Sequence, residues 1–166
     1  MKKLLVFSFL LLTINAFCQD AAKITTFIVV RHAEKGKDDP KDPTLSPEGT
    51  ERSERLAKML RDVPVMAIYS TNYKRTKNTV APLASQKGIE VQTYESFKES
   101  AIDELIKKYR GGTIVISGHS NTVPGIVNLL VGGSHYKDLD ESNFSTMFLV
   151  TVVERGKVAS VAQLQY

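Results

Sequence analysis

Cysteine is all but missing from this 166-residue chain: Cys18 is the only one, so no intrachain disulfide can form. The three histidines, His32, His119 and His135, show none of the spacings of a zinc site, so no metal or other cofactor is implied. Long apolar runs are absent too, since the stretch Leu4 to Leu12 falls short of the about 20 residues that span a bilayer. Charge of one sign is likewise lacking. The 22 Lys and Arg are interspersed among 18 Asp and Glu and form no basic stripe, which argues against a nucleic-acid partner. No internal repeat, low-complexity segment or linker breaks the chain, and its length fits one domain with one core.

What is present begins with a leader. Lys2 and Lys3, the apolar stretch behind them and Ala16-Phe17-Cys18 read as a signal peptide over residues 1–18, cleaved before Gln19. A single domain over 19–166 would then be periplasmic or secreted, with no stable membrane insertion. Bulky Phe17 argues against lipid anchoring at Cys18. Cleavage removes Lys2 and Lys3, so 20 basic residues face 18 acids. The mature chain is almost neutral.

The most informative segment is Arg31-His32-Ala33-Glu34, which follows the β-branched run Ile24 to Val30. A second run, Thr113 to Ser117, leads into Gly118-His119-Ser120-Asn121. Each reads as a buried strand ending in an imidazole, and open α/β sheets form their ligand crevices at such strand ends. His135, in a glycine-led loop, reads as a surface histidine. Tyr73 and Phe144 could rim a pocket at these strand ends, but aromatic residues are more often core or incidental surface, and they are read so.

Strands and helices alternate along the rest. Lys35 to Thr44 is a polar loop, after which Ser46, Pro47 and Glu48 signal the start of a helix that uses Leu56, Met59 and Leu60 as its apolar face. Val65 to Ser70 reads as a strand and Tyr73 to Gln86 as a helix closed at Gly88. Ile89 to Tyr94 reads as a strand and Ser100 to Tyr109 as a helix, with Gly111-Gly112 turning into the strand before His119. Thr122 to Val131 is a helix, and Met147 to Val153 with Lys157 to Gln165 form an antiparallel pair. The alternation implies an α/β fold with a largely parallel sheet covered on both faces.

His32, His119, Arg31 and Arg75 each follow a strand or open the helix after it, so all four converge on one sheet edge. A neutral imidazole can attack phosphorus if cations screen the phosphate charge. Arginine forks do this at any working pH. The helix near Thr122 adds backbone donors, and Gly118 allows close approach.

In these residues the chain resembles the histidine phosphatase superfamily, the phosphoglycerate mutase-like proteins, from about Ile24 to Tyr166. Arg31-His32-Ala33-Glu34 is similar to that family's Arg-His-Gly/Ala motif, and Leu45-Ser46-Pro47-Glu48-Gly49 to its Leu-Thr/Ser-x-x-Gly segment. Tyr69-Ser70-Thr71 through Arg75-Thr76 is similar to its Ser-x-x-x-Arg-x-x-x-Thr segment, and Gly118-His119-Ser120 to its Gly-His motif. The resemblance implies a three-layer α/β/α sandwich, phosphorylation on His32, and a phosphate pocket of Arg31, Arg75 and His119.

Two departures place the chain in the small phosphatase branch. Residues 35–44 lack the Trp-Asn of the mutases, and Glu95 to Ser100 is a short connection where they carry a large insertion. The general acid is left among Glu95, Glu99, Asp38, Asp39 and Asp42, with Glu95 favoured for following Tyr94. The expected activity is metal-independent phosphomonoester hydrolysis of a small phosphorylated substrate. A phospholigand-binding module without turnover and a phosphohistidine-protein phosphatase are the alternatives.

Overall fold

The computed structural model describes residues 23–166; the expected leader and its expected cleavage site lie outside them. Six strands form one sheet in the order β3-β2-β4-β1-β5-β6: β1 (Thr25–Arg31), β2 (Val65–Ser70), β3 (Val91–Thr93), β4 (Thr113–Gly118), β5 (Thr146–Glu154) and β6 (Val158–Gln165). The sheet is mixed. β1, β4, β2 and β3 pair in parallel, whereas β5 runs antiparallel to β1 and pairs antiparallel with β6.

Four helices complete three layers: α1 (Pro47–Met59), α2 (Lys74–Lys87), α3 (Glu99–Lys108) and α4 (Thr122–Val131). Because β1 is central and covered on both faces, its alternate residues enter different cores. Ile28 and Val30 pack with Leu56 and Ala57 of α1, with Leu60 at its C-terminal cap and with Val80 and Leu83 of α2. Phe27 and Val29 pack with Ile102 of α3 and with Val123, Ile126 and Leu130 of α4. Two-sided burial explains why β1 and β4 read as continuous apolar runs. On α1 the expected Met59 is 48% exposed, and Ala57 takes its place in the buried stripe.

Local chemistry fixes the approach of α1 to the site. Ser46 caps it, its hydroxyl accepting from the Gly49 N–H at 3.1 Å, with Pro47 in the first turn. Gly49 is required by contact: an added Cβ would fall on the Glu34 carbonyl oxygen. The helix start is thereby pressed against the backbone that leaves β1. Glu34 and Arg52 join the same two elements through the Arg52 guanidinium, both side chains being largely buried. Burial alone would raise the Glu34 carboxyl, but Arg52 holds it below its usual range.

Candidate active site

Register alone brings the strand exits level. Arg31 of β1 lies opposite Gly118 of β4, and Ser70 of β2 opposite Ser117. Pairing runs one step further: the His32 N–H donates to the Gly118 carbonyl at 2.8 Å and the Tyr94 N–H to the Ser70 carbonyl at 3.0 Å. His32, Thr71, Tyr94 and His119 therefore leave the sheet side by side. The rings of His32 and His119 lie edge to face with centroids 5.5 Å apart.

His32 is buried, and its Nδ1 lies 2.8 Å from the Ala33 carbonyl oxygen. A carbonyl only accepts, so Nδ1 carries the proton and Nε2 holds the lone pair. Burial lowers the ring to about 4, with Arg31, Arg75 and His119 contributing in the same direction against the Ala33 hydrogen bond. The imidazole is neutral across the ordinary pH range.

His119 is also lowered to about 4, by burial and then by Arg75 and Arg31. Its Nε2 meets the Thr71 hydroxyl at 3.0 Å. Thr71 gives its own proton to Thr76, whose hydroxyl donates to the Tyr73 carbonyl. The proton in the His119–Thr71 bond is therefore carried by Nε2.

A cavity of about 450 Å³ opens at this edge, lined by Thr71, Tyr73, Arg75, Tyr94, Glu95 and His119 among others. Arg75 lies 4.4 Å from the Tyr73 ring centre, and its Nη1 is 3.6 Å from Asp42. Among the described residues its buried Nε has no hydrogen-bond partner, and neither does that of Arg31. Tyr73 also meets the His119 ring edge to face, and Phe144 packs against both His32 and the Arg31 guanidinium. Both aromatics thus belong to the site, contrary to the sequence reading. No periodicity marks them, because their loops are placed by tertiary contacts.

His32 adjoins this cavity through the His119 ring rather than lining it, and Arg31 does not line it either. Arg31 is 1% exposed, with Nη1 donating to the carbonyls of Asp140, Glu141 and Asn143 and Nη2 to the Glu141 carboxylate at 2.8 Å. The other Glu141 oxygen accepts from Ser120. Arg31 is therefore the hub joining the 140–143 loop to the edge, and only its Nε is unengaged. Gly118 is explained by contact, since an added Cβ would meet the Thr122 and Tyr94 hydroxyls.

The carboxylates separate cleanly. Glu95 lines the cavity. Glu99 pairs with Arg155 beside Asp103, Asp38 accepts from the Thr44 N–H, and Asp39 accepts from Lys41 and Asp42 within the loop. Asp42 takes the Lys74 N–H at the start of α2. His135 is exposed. Among the described residues no group of three or more His, Cys, Asp or Glu is placed to hold a metal ion.

Thr79 also escaped the sequence reading. It accepts the Ala33 N–H at 2.9 Å and donates to the Arg75 carbonyl at 2.8 Å, tying the chain beyond His32 to the helix that carries Arg75. Its place four residues after Arg75, one helical turn on, is the signal that would have found it.

The fold recurs in solved structures. The protein histidine phosphatase SixA, complexed with tungstate, superposes with a TM-score of 0.69 at 15% identity over 84% of this chain and 96% of that one. A phosphoglycerate mutase from Bacillus anthracis gives 0.62 at 15% identity over 86% and 93%, and a phosphoserine phosphatase from Entamoeba histolytica 0.59 at 17% over 75% and 90%. No curated protein sequence matches significantly. The profile of the histidine phosphatase superfamily (branch 1) matches residues 27–102, the span that includes His32, Arg75 and Glu95. Residues 27–102 thus carry the profile of the histidine phosphatase superfamily, and the chain around them has the fold of these solved structures.

Proposed function

We propose that this protein is a metal-independent phosphomonoesterase that works through a phosphohistidine on His32. The observation that carries the reading is the His32 Nδ1–H held by the Ala33 carbonyl in a buried, neutral ring. That arrangement leaves Nε2 as a nucleophile without any further deprotonation.

In the first step Nε2 attacks phosphorus, the ester P–O bond breaks, and the leaving oxygen takes a proton from Glu95. In the second, Glu95 accepts a proton from water, whose oxygen attacks the phosphohistidine; the P–N bond breaks and phosphate departs with His32 neutral again. Arg75 and the His119 Nε2–H bind the phosphoryl oxygens, the latter in exchange for Thr71. The unpaired Nε of Arg75, which lines the cavity, adds to the site's demand for an anion, since an unsatisfied buried donor costs about 1–3 kcal/mol. Arg31 contributes chiefly by positioning the 140–143 loop.

A nucleophile prepared in this way favours turnover over mere capture of a phosphorylated ligand. Rapid-quench labelling should trap an acid-labile, base-stable phosphoenzyme that His32→Ala abolishes along with turnover, while exhaustive chelation leaves the rate unchanged. Turnover retained in His32→Ala would overturn the mechanism. Export follows from the leader, and sequencing the N-terminus of protein recovered outside the cytoplasm, where Gln19 should come first, checks it.

A further inference from the structure

A second cavity, of about 320 Å³, adjoins the first and shares Tyr94 and Thr122 with it. Its remaining wall is mostly apolar: Ser96 and Phe97 on the loop after β3, and Gly125, Ile126 and Leu129 on α4. Phe97 stacks on Tyr94 with ring centres 4.3 Å apart and planes 20° from parallel. The Tyr94 hydroxyl donates to the Ser117 carbonyl in the interior, so the ring is what the wall offers. Thr122, Gly125, Ile126 and Leu129 recur at helical spacing and form one side of a groove about 10 Å long at 1.5 Å per residue.

Gly125 is the telling residue. It lies inside α4, where glycine is the poorest helix former after proline. No close approach demands it, because an added Cβ would meet nothing within 4 Å. Its effect is to leave the groove open. At its far end the groove runs into a region lined by Glu99 and Arg155, which are paired with each other.

We propose that this groove holds the organic part of the substrate, and that the preferred substrate is a phosphomonoester whose leaving group is an apolar chain or ring. The proposal rests on the phosphatase reading and gives it a substrate class. The occupant follows from continuity, since a phosphate held at Arg75 and His119 has its ester substituent next to the Tyr94–Thr122 border. A polyol phosphate would set its hydroxyls against Phe97, Ile126 and Leu129, which offer no hydrogen bond. An alkyl chain gains there by up to about fourfold per methylene, the ratio equivalent to ~0.8 kcal/mol.

The test compares kcat/KM for methyl, butyl and hexyl phosphate in the parent, in Gly125→Leu, which fills the groove, and in Phe97→Ser on the opposite wall. The expected result is a hexyl preference over methyl of about tenfold or more in the parent, cut at least about fivefold by either variant that folds. A smaller preference, or one that neither variant reduces, overturns the proposal. Hexyl- and methylphosphonate, which are not hydrolysed, read the groove by calorimetry. If no ester is turned over yet hexylphosphonate binds about tenfold more tightly than methylphosphonate, hydrolysis is rejected and the groove stands; equal binding rejects the groove.

Discussion

The Nδ1–H of His32 donates to the carbonyl oxygen of Ala33, the next residue along the chain, at 2.8 Å. A contact between adjacent residues needs no remote partner, so the tautomer is set by the path of the backbone leaving β1. That path is itself held from two sides. The Ala33 N–H is anchored on Thr79 of α2, and the Glu34 backbone is pressed by Gly49 of α1.

The first prediction concerns pH. His32 titrates near 4 in the folded protein against 6.5 when free, so as pH falls the unfolded chain takes up the proton first. Its contribution to stability is full above about 6.5 and is lost progressively as pH falls to about 4, reaching about 3 kcal/mol for a gap of this size. His119 shifts in the same direction. Urea unfolding of His32→Asn between pH 7 and 4.5 should therefore lose less stability than the parent; parallel losses would contradict the assignment.

Thr79→Val supplies the second. Valine matches threonine in shape but leaves the buried Ala33 N–H without an acceptor, which should cost about 1–3 kcal/mol by denaturant unfolding. Thr79→Ser keeps the acceptor and should recover most of the loss. If Val and Ser unfolded together, the hydroxyl would not be the anchor.

Much of this architecture is legible because local chemistry sets it. The bounds of β2 and α4 agree with the sequence reading, and α1 starts at its Ser46-Pro47 signal. β3 shrinks to Val91–Thr93 at a sheet edge, where it has one neighbour; the Ile89 N–H instead closes the end of α2 on Ala84, and Tyr94 turns in to stack on Phe97. The sheet is less parallel than the βα alternation suggests because, after α4, residues 132–145 return the chain to the edge where β1 ends, so β5 enters antiparallel to β1. Least legible is the engagement of Arg31 by residues 140–143, a contact across more than a hundred positions whose loop carries no periodic pattern.

Arg75 carries the third prediction. Arg75→Ala should raise the barrier by roughly 2.7–4 kcal/mol, the scale for removing one preorganised donor from a developing charge. Arg75→Lys should recover only part, because an ammonium cannot reproduce the planar fork or its packing on Tyr73. Steady-state kcat/KM for all three proteins decides it, and equivalence of Lys and Arg would remove the fork from the argument.

The proton donor is the last. Glu95 shares the cavity with Arg75 and His119, whereas Glu99 is paired with Arg155 and Asp38 and Asp39 are bound within their loop. An alkoxide leaving group needs a proton and a nitrophenolate does not, so loss of the acid should affect the two esters unequally. Glu95→Gln should slow an alkyl phosphate by about 10²-fold or more while largely sparing p-nitrophenyl phosphate. Asp42→Asn is the comparison to make beside it, since Asp42 lies 3.6 Å from Arg75 Nη1. If Glu95→Gln slows both esters alike while Asp42→Asn slows the alkyl ester selectively, the acid sits on the 35–44 loop and Glu95 only lines the pocket.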